Sequence, residues 1–473
     1  MVRLRHAQMD LSQVVLFGLV LPEPERLMEP WLREVDKALE DEEIIDAVTT
    51  VLRRRWRQSA RRGRAGTPTE VVLRMLVLKH MRHWSYDELE REVTGSLVYR
   101  RFCRIDATKV PDAKTMVRLG QVVDGPTLRQ LLHRLVAIAA AAGVTRGRKM
   151  RVDTTVVEAP IHHPTDSGLC EDVIRVLSRA MRRLAGAGVD LGFKVRNVRR
   201  SVSRRMSEIA QGLRRRGEKA KRAIRKPYRR LLRITGRLVR QAERAAEQAC
   251  RQLRTMRGRR RVSVDRLATL IGTTAKHGRQ VIRQTRARVL GAETRTPGKI
   301  VSVFEPWAQI IRKGKLDRPT EFGAVVKVQE SEAGIVTDIA VDDARADALL
   351  LVPSVELHQR LFGQVPRTVA TDRGFFSGRG ERRLNEMGVR HPVMPKPGHR
   401  TRDRVAYERQ RWFKRGRAWR AGGEARISRL KNTFGMQRSP YHGRGGLDRC
   451  IGWAAIANNL VAIGRFRAGR PSS

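Results

Sequence analysis

Hydrophobic spacing first predicts helices. After Thr-Pro-Thr-Glu at 67–70, apolar residues at 71, 72, 75, 76 and 78 recur with helical spacing, and the four-residue sequence is typical of a capping box with proline at the first helical position. Ser-Tyr-Asp-Glu at 85–88 predicts a second capped helix after a short turn. Two helices joined so closely indicate either a helix-turn-helix or a small bundle without DNA contact. Further helices are expected after Pro111-Asp112 and in the alanine-rich stretch that ends at Gly143.

From Met150 the pattern changes to that of a sheet. Strands are predicted over 150–158, over 322–329 and 335–341 as a hairpin, and over 368–372 and 389–394. Helices are expected over about 343–362 and 377–387, and in a last region that includes Glu424. This order is typical of a mixed sheet flanked by helices. A flexible turn at 443–446 is expected to precede an apolar helix over 453–463.

The stretch between residues 170 and 300 is helical and very basic. The chain of 473 residues has 98 Lys and Arg against 48 Asp and Glu, a net charge of +50, and residues 191–300 hold 34 basic and 6 acidic residues. Apolar residues at 213, 224, 231, 232 and 238 follow helical spacing, so this stretch is predicted to fold. Such a charge indicates a polyanionic partner, most simply nucleic acid.

These changes in pattern predict five regions. An N-terminal lead-in covers 1–66, a helical domain with a candidate DNA-binding role covers 67–147, and a sheet domain covers 148–169 and 300–435. The basic helical region at 170–299 is an insertion after the first strand, and 436–473 form a C-terminal helix and tail.

Cysteine spacing and hydropathy restrict the location of the protein. The four cysteines lie far apart with no metal-ligand spacing, which excludes a disulfide framework or structural zinc site and fits a reducing cytoplasm. No apolar run approaches the ~20 residues of a membrane span. The apolar stretch at 14–22 is interpreted as buried rather than as a signal peptide, because Pro-Glu-Pro-Glu follows and no cleavage site appears.

Three acidic residues stand out by position. Asp153 lies in a strand, Asp372 ends a strand at a glycine turn, and Glu424 lies on a helix. Arg420 and Lys431 share the helix face of Glu424, with positions 427 and 430 toward the core. Phosphodiester cleavage needs an activated nucleophile and a stabilised leaving oxygen, which two divalent cations ~4 Å apart provide when carboxylates hold them. Acids among so many cations therefore fit metal ligands beside phosphate-binding residues.

Each acid also has a structural interpretation. Asp372 could cap a turn, Asp153 could be a hydrogen-bonded buried acid, and Glu424 could pair with Arg420 along the helix. Spacing alone leaves the choice open, because other acids compete: Glu158, Asp166, Asp317, Asp338 and the pair Asp342-Asp343.

Other chemistries have little support in the sequence. His162-His163 predicts a loop rather than a metal site, because Pro164 intervenes before Asp166 and no partner has matching spacing. No phosphate-binding loop sequence occurs, so ATP hydrolysis is not expected.

Three segments resemble the signatures of DDE-type bacterial insertion-sequence transposases. They are Val-Asp-Thr-Thr at 152–155, Ala-Thr-Asp-Arg-Gly-Phe at 370–375, and R-x3-E-x6-K at 420–431. The last resembles the end of the Y-x2-R-x3-E-x6-K signature of one group, whose N-terminal domain is similar to residues 67–115. The resemblance covers about 67–165 and 300–463. Arg417 replaces the expected tyrosine, Gly422-Gly423 is expected to weaken the helix, and many relatives interrupt the fold nearer the glutamate.

The resemblance implies an α/β, ribonuclease-H-like fold with an N-terminal helical domain. It implies that Asp153, Asp372 and Glu424 are catalytic and bind two Mg²⁺ or Mn²⁺ ions. The residues implied to contact DNA are Arg373, Arg420 and Lys431.

The implied activity is cutting the ends of an insertion sequence and joining them to target double-stranded DNA. The protein would act in the cytoplasm, at the nucleoid, as a homodimer or larger synaptic assembly without a membrane partner. The basic insertion would hold the DNA backbone without reading sequence, and ~8 phosphate contacts would give a log–log salt slope of about −7. Two alternatives are an inactive DNA-binding remnant and a ribonuclease-H-like nuclease without strand transfer.

Overall fold

The computed structural model describes residues 27–54, 66–105, 108–293, 295–312, 320–342 and 346–469. The chain divides into two compact units. One comprises Met1–Ala159 and Ala324–Ser473, and the other comprises Pro160–Gly323, which interrupts the first in sequence. The stretch at 14–22 and two of the competing acids, Asp317 and Asp343, lie outside the described residues.

Helices precede the sheet, as predicted. Their described members are α1 (Pro30–Ala38), α2 (Glu42–Arg54), α3 (Thr69–Arg82), α4 (Tyr86–Gly95), α5 (Leu97–Phe102), α6 (Ala113–Gly120) and α7 (Gly125–Ala141). The capping box at Ser85 is confirmed: its hydroxyl accepts from the Glu88 N–H at 3.1 Å, and its own N–H donates to the Glu88 carboxylate at 2.7 Å.

The capping box predicted at 67–70 is wrong. Pro68 is the N-cap residue of α3 rather than its first helical residue, and no side chain caps this helix. Because Pro68 is extended, with φ −56° and ψ 145°, the helix begins only at Thr69. The Thr69 hydroxyl instead accepts a hydrogen bond from Thr49 at 3.1 Å.

The pair α3 and α4 has the features of a helical bundle. All residues of α3 from Val71 to Met81 are buried, as in a helix packed on every side. Helix α4 carries four carboxylates, which disfavour approach to a DNA groove: Asp87, Glu88, Glu90 and Glu92.

The predicted mixed sheet flanked by helices is confirmed. Its strands are β1 (Lys149–Glu158), β2 (Gln309–Arg312), β3 (Thr320–Glu330), β4 (Val336–Asp342), β5 (Thr368–Ala370) and β6 (His391–Val393). The order is β2-β3-β1-β5-β6, and β4 also pairs with β3. The predicted hairpin is β3 and β4, which run antiparallel, whereas β1, β5 and β6 are parallel.

Apolar residues pack on both faces of the three parallel strands. On one face Val152 and Val369 pack with Leu351 of α12 (Asp347–Phe362) and with α13 (Gly378–Glu386). On the other face Val393 packs with Phe413 of α15 (Arg411–Asn432), which follows α14 (Arg402–Arg409). Helix α15 also contacts β5 and β1, so it lies on the strand of Asp153 and on the strand that precedes Asp372.

The C-terminal helix is longer than predicted. Helix α16 (Arg444–Arg467) is buried along most of its length, and its start corrects the flexible turn expected at 443–446. Gly443, with φ 75°, is the N-cap, and Gly446 already lies in the helix. A Cβ on Gly446 would lie 2.8 Å from the Tyr441 Cβ, so a small residue is needed there. No helix within the described ranges is long and apolar enough to cross a bilayer.

The second unit is mainly helical. It contains α8 (Asp166–Gly186), α9 (Arg199–Leu213), α10 (Gly217–Gln252) and α11 (Gly258–Gly291). Their apolar faces form one core, to which each of the four helices contributes; examples are Leu177, Ile209, Leu231, Ala242 and Ile271. In the same unit β2 pairs with residues 320–323 of β3.

Candidate active site

The sheet brings Asp153 of β1 close to Asp372, which lies in the turn after the neighbouring strand β5. The last registered pair of β1 and β5 is Arg151 with Ala370. Each aspartate lies two residues beyond its member of that pair, and the strands are parallel, so both acids lie at the same edge of the sheet. A Cβ on Gly374 would lie 3.3 Å from the Asp372 Oδ1.

Asp372 is also a turn cap, as the structural interpretation proposed. Strand β5 ends at Ala370, two residues earlier than the sequence predicts, and Asp372 precedes a 3-10 turn over Arg373–Phe375. Its Oδ1 accepts a hydrogen bond from the Gly374 N–H at 2.9 Å. This hydrogen bond uses Oδ1 of the two carboxylate oxygens. The next residue, Arg373, is exposed.

Asp153 is half-buried and has a cationic partner. Its Oδ2 accepts from Arg420 Nη2 at 3.0 Å, and its Oδ1 accepts from the Thr154 N–H at 2.8 Å. Burial raises the pKa of the Asp153 carboxyl and the nearby charge of Asp372 adds to this, while the Arg420 guanidinium acts in the opposite direction. The carboxyls of Asp153 and Asp372 are thus close enough to repel each other.

Helix α15 brings Glu424 to the same guanidinium. Arg420 Nη1 lies 3.6 Å from Glu424 Oε1, so Arg420 contacts both Asp153 and Glu424. The Glu424 side chain is 73% exposed. Lys431 lies half-buried near the end of the helix, and Arg417, at the position of the expected tyrosine, is exposed.

The donor set fits a divalent cation in part. Asp153 and Asp372 offer oxygen ligands of the kind that Mg²⁺ prefers, and a cation between them would relieve their repulsion. In the described part of the chain, however, no three acidic, histidine or cysteine side chains converge closely enough to form a complete metal site. The geometry therefore assembles two acids at the sheet and holds the third through Arg420.

A further acid at this edge was missed by the sequence interpretation. Asp347 is the first residue of α12, and a Cβ on Gly374 would lie 3.0 Å from its Oδ2. Burial raises the pKa of Asp347, and the charges of Asp372, Asp342 and Asp153 raise it further. An aspartate is common at the start of a helix because its charge stabilises the helix N-terminus. The sequence therefore gives no separate signal that Asp347 lies near Asp372.

A buried ion-pair network fixes α15 against the sheet. Glu330 of β3 accepts from Arg151 Nε and Nη2 at 2.8 and 2.7 Å, and from Arg426 Nε at 3.1 Å. Arg426 also donates to Asn458 of α16 at 2.9 Å. Since Arg151 precedes Asp153 by two residues and Arg426 follows Glu424 by two, the network joins the two acid-bearing elements.

Helix α15 continues through Gly422 and Gly423, which the sequence expects to weaken it. The Arg151 side chain crosses the helix at these two glycines. A Cβ on Gly422 would lie 3.0 Å from Arg151 Nη1, and the same nitrogen donates to the Trp419 carbonyl at 2.5 Å. The guanidinium also lies over the Trp419 ring, 4.8 Å from its centroid. The two glycines thus allow Arg151 to reach the helix backbone.

Several of the competing acids have other partners. Asp166 pairs with Arg288 at 3.0 Å, and Asp338 pairs with Lys327 at 2.7 Å. The His162-His163 stretch is a loop, as predicted, and the His163 ring packs edge-on against Phe322.

One comparison with known proteins concerns the N-terminal part of the chain. Residues 24–121 match a family model described as a transposase domain, DUF772. A curated relative, an uncharacterised protein called ORF8 of the nfe locus in Rhizobium meliloti, is 28% identical over 127 residues. That match covers 26% of this chain and 61% of the relative. No solved structure matches the chain.

Proposed function

We propose that the protein is a DNA transposase of the DDE type that cuts the ends of an insertion sequence and joins them to target DNA. The transposase-domain match at residues 24–121 supports the general role. The observation that carries the catalytic proposal is that Asp153 and Asp372 each lie two residues beyond the last registered pair of β1 and β5, and that Arg420 links Asp153 to Glu424.

In this proposal the sheet domain is ribonuclease-H-like, and Asp153, Asp372 and Glu424 hold two Mg²⁺ or Mn²⁺ ions. Such ions would activate the attacking oxygen and stabilise the leaving oxygen of each phosphodiester displacement. The protein holds the acids in position: β1 carries Asp153, the turn after β5 carries Asp372, and the Arg151–Glu330–Arg426 network holds the helix of Glu424.

Cationic residues around the acids would hold the DNA backbone. Arg373 is exposed one residue after Asp372, and Arg420 presents a planar guanidinium suited to bidentate phosphate contact. Together with Lys431 they are proposed to bind element ends or target DNA. A homodimer or larger synaptic assembly in the cytoplasm, at the nucleoid, completes the proposal.

The test is a strand-transfer assay with a labelled duplex carrying the sequence that borders the gene. With Mg²⁺ and a plasmid target, the wild type should insert the 3′-hydroxyl end, and chelation by EDTA should abolish insertion while leaving DNA binding intact. Asp153→Ala, Asp372→Ala and Glu424→Ala should each bind DNA without insertion. Glu386→Ala removes an exposed acid paired with Arg383 and should insert as the wild type does.

The same assay separates the alternatives. Binding without any cutting, unchanged by Asp153→Ala, would identify an inactive DNA-binding remnant. Cutting without joining would identify a nuclease.

A further inference from the structure

We propose that one face of α10 binds the backbone of duplex DNA. Eight basic side chains follow each other at intervals of three, four or seven residues, so at 100° per residue they fall in a single stripe. This α10 stripe consists of Arg222, Lys226, Arg229, Arg233, Arg237, Arg240, Arg244 and Arg251, all of them exposed. It is about 44 Å long at 1.5 Å per residue.

The α10 stripe is fixed toward solvent by the opposite face of the helix. That face is buried in the core of the second unit, and its members include Leu231, Leu238, Ala242, Ala245 and Ala249. Rotating α10 to hide the cations would expose this whole apolar face, so the stripe is a permanent feature of the surface.

Acidic residues do little to neutralise the α10 stripe. Glu218 pairs with Lys221 at 2.6 Å and Glu243 pairs with Arg279 at 2.6 Å, both with cations outside the stripe. Glu247 lies between Arg244 and Arg251 on the stripe face, and Glu218 lies one turn before Arg222. From Arg222 to Arg244 the cations follow each other about every helical turn, roughly 5 Å along the axis, which gives a line of positive charge over that part of the helix.

The pattern favours duplex DNA over other polyanions. Proteins that hold single strands stack bases on aromatic side chains, but the aromatic residue of α10, Tyr228, is buried. A membrane-surface helix inserts its apolar face into lipid, whereas the apolar face of α10 is covered by protein. A line of exposed cations on a helix whose aromatic and apolar residues face the core fits the phosphate backbone of a duplex.

The neighbouring helix carries a shorter line of cations. In the first half of α11 the exposed residues Val262, Asp265, Thr269 and Leu270 interrupt the positive charge. In its second half Lys276, Arg279, Arg283 and Arg286 follow each other at three or four residues, and Arg279 pairs with Glu243. The proposal concerns α10, which carries the longer line. The choice of DNA as the partner rests on the proposed function, but the test measures binding and needs no catalysis.

The experiment compares two variants of the full chain with equal charge loss. The stripe variant changes Arg229, Arg233, Arg237 and Arg240 to Gln. The control variant changes four exposed cations on other helices of the same unit to Gln: Arg179, Arg183, Arg266 and Lys276. Binding to a labelled 28-bp duplex of random sequence is measured by fluorescence anisotropy from 50 to 200 mM KCl, with circular dichroism to check folding.

If the four positions contact phosphates, the log–log salt slope of the stripe variant should be shallower by about 3.6. Between 50 and 200 mM salt, the wild type should then lose about 150-fold more affinity than the stripe variant. The control variant should keep a slope close to that of the wild type.

Three results would overturn the proposal. Equal slopes for the two variants would mean that charge matters regardless of position. A wild-type slope for the stripe variant would mean that α10 does not bind the duplex. Binding of the stripe variant to phosphatidylserine vesicles and to single-stranded DNA is measured as well. If the stripe variant lost binding to either of these and kept its binding to the duplex, the partner would be a different one. Catalytic variants such as Asp153→Ala should keep the wild-type slope, so failure of the proposed reaction can be told from failure of this surface.

Discussion

Replacing Glu330 with glutamine tests whether the buried network holds α15 against the sheet. The Glu330 side chain is 3% exposed and neutralises two guanidiniums, those of Arg151 and Arg426, which are 11% and 10% exposed. Glutamine keeps the size of the side chain but removes its charge, so both cations are left buried without a counter-ion. Removing one partner of a buried ion pair costs about 3–5 kcal/mol. We expect Glu330→Gln to lower the free energy of unfolding by about 4 kcal/mol.

The assay is urea unfolding followed by tryptophan fluorescence, which reports on this region because Trp419 lies against Arg151. The matched control is Glu386→Gln, which removes the charge of an exposed pair with Arg383 and should cost about 0–1 kcal/mol. A loss below about 1 kcal/mol for Glu330→Gln, similar to that of the control, would refute the role assigned to the network.

Further predictions concern a buried lysine, a helix–sheet contact and the residue that crosses α15. Burial lowers the pKa of Lys79 to about 8, so its contribution to stability is present above its unfolded pKa and is lost as the pH falls through 8. Lys79→Met should therefore raise the free energy of unfolding, measured by urea, by about 3 kcal/mol at pH 7. This gain over the wild type should shrink toward pH 10, and a gain that does not depend on pH would contradict the prediction. Gly416→Ala places a Cβ 2.4 Å from Val393 Cγ2 and should cost about 1–3 kcal/mol in urea unfolding, whereas Gly95→Ala, with open space around it, should not destabilise. Arg151→Lys cannot pair bidentately, so strand transfer should fall at least tenfold while DNA affinity stays constant; equal losses of both would argue against a positioning role.

The sequence predicts the elements of the site well. The β-branched run at 150–158 specifies β1, and the helix of Glu424 follows from apolar spacing, so both elements form where they are expected. The i, i+4 spacing of Arg420 and Glu424 also predicts their contact at 3.6 Å.

Contacts between distant segments could not be predicted. Arg151 and Glu330 are 179 residues apart in sequence, and nothing local in either segment specifies their pairing. The Arg151 side chain also accounts for the glycines at 422 and 423, because it lies where their Cβ atoms would be. Helix propensity alone predicts only that these glycines weaken the helix. Asp347 was missed for a related reason, since its proximity to Asp372 depends on how α12 packs beside β5. Tertiary packing decided these positions.

The most direct test of the central claim is anomalous diffraction from Mn²⁺ in crystals of the protein bound to an element-end duplex. The account predicts two manganese peaks, both within coordination distance of carboxylate oxygens from Asp153, Asp372 and Glu424. Manganese bound elsewhere, or a complex in which Glu424 remains beyond reach of any ion held by the two aspartates, would contradict it.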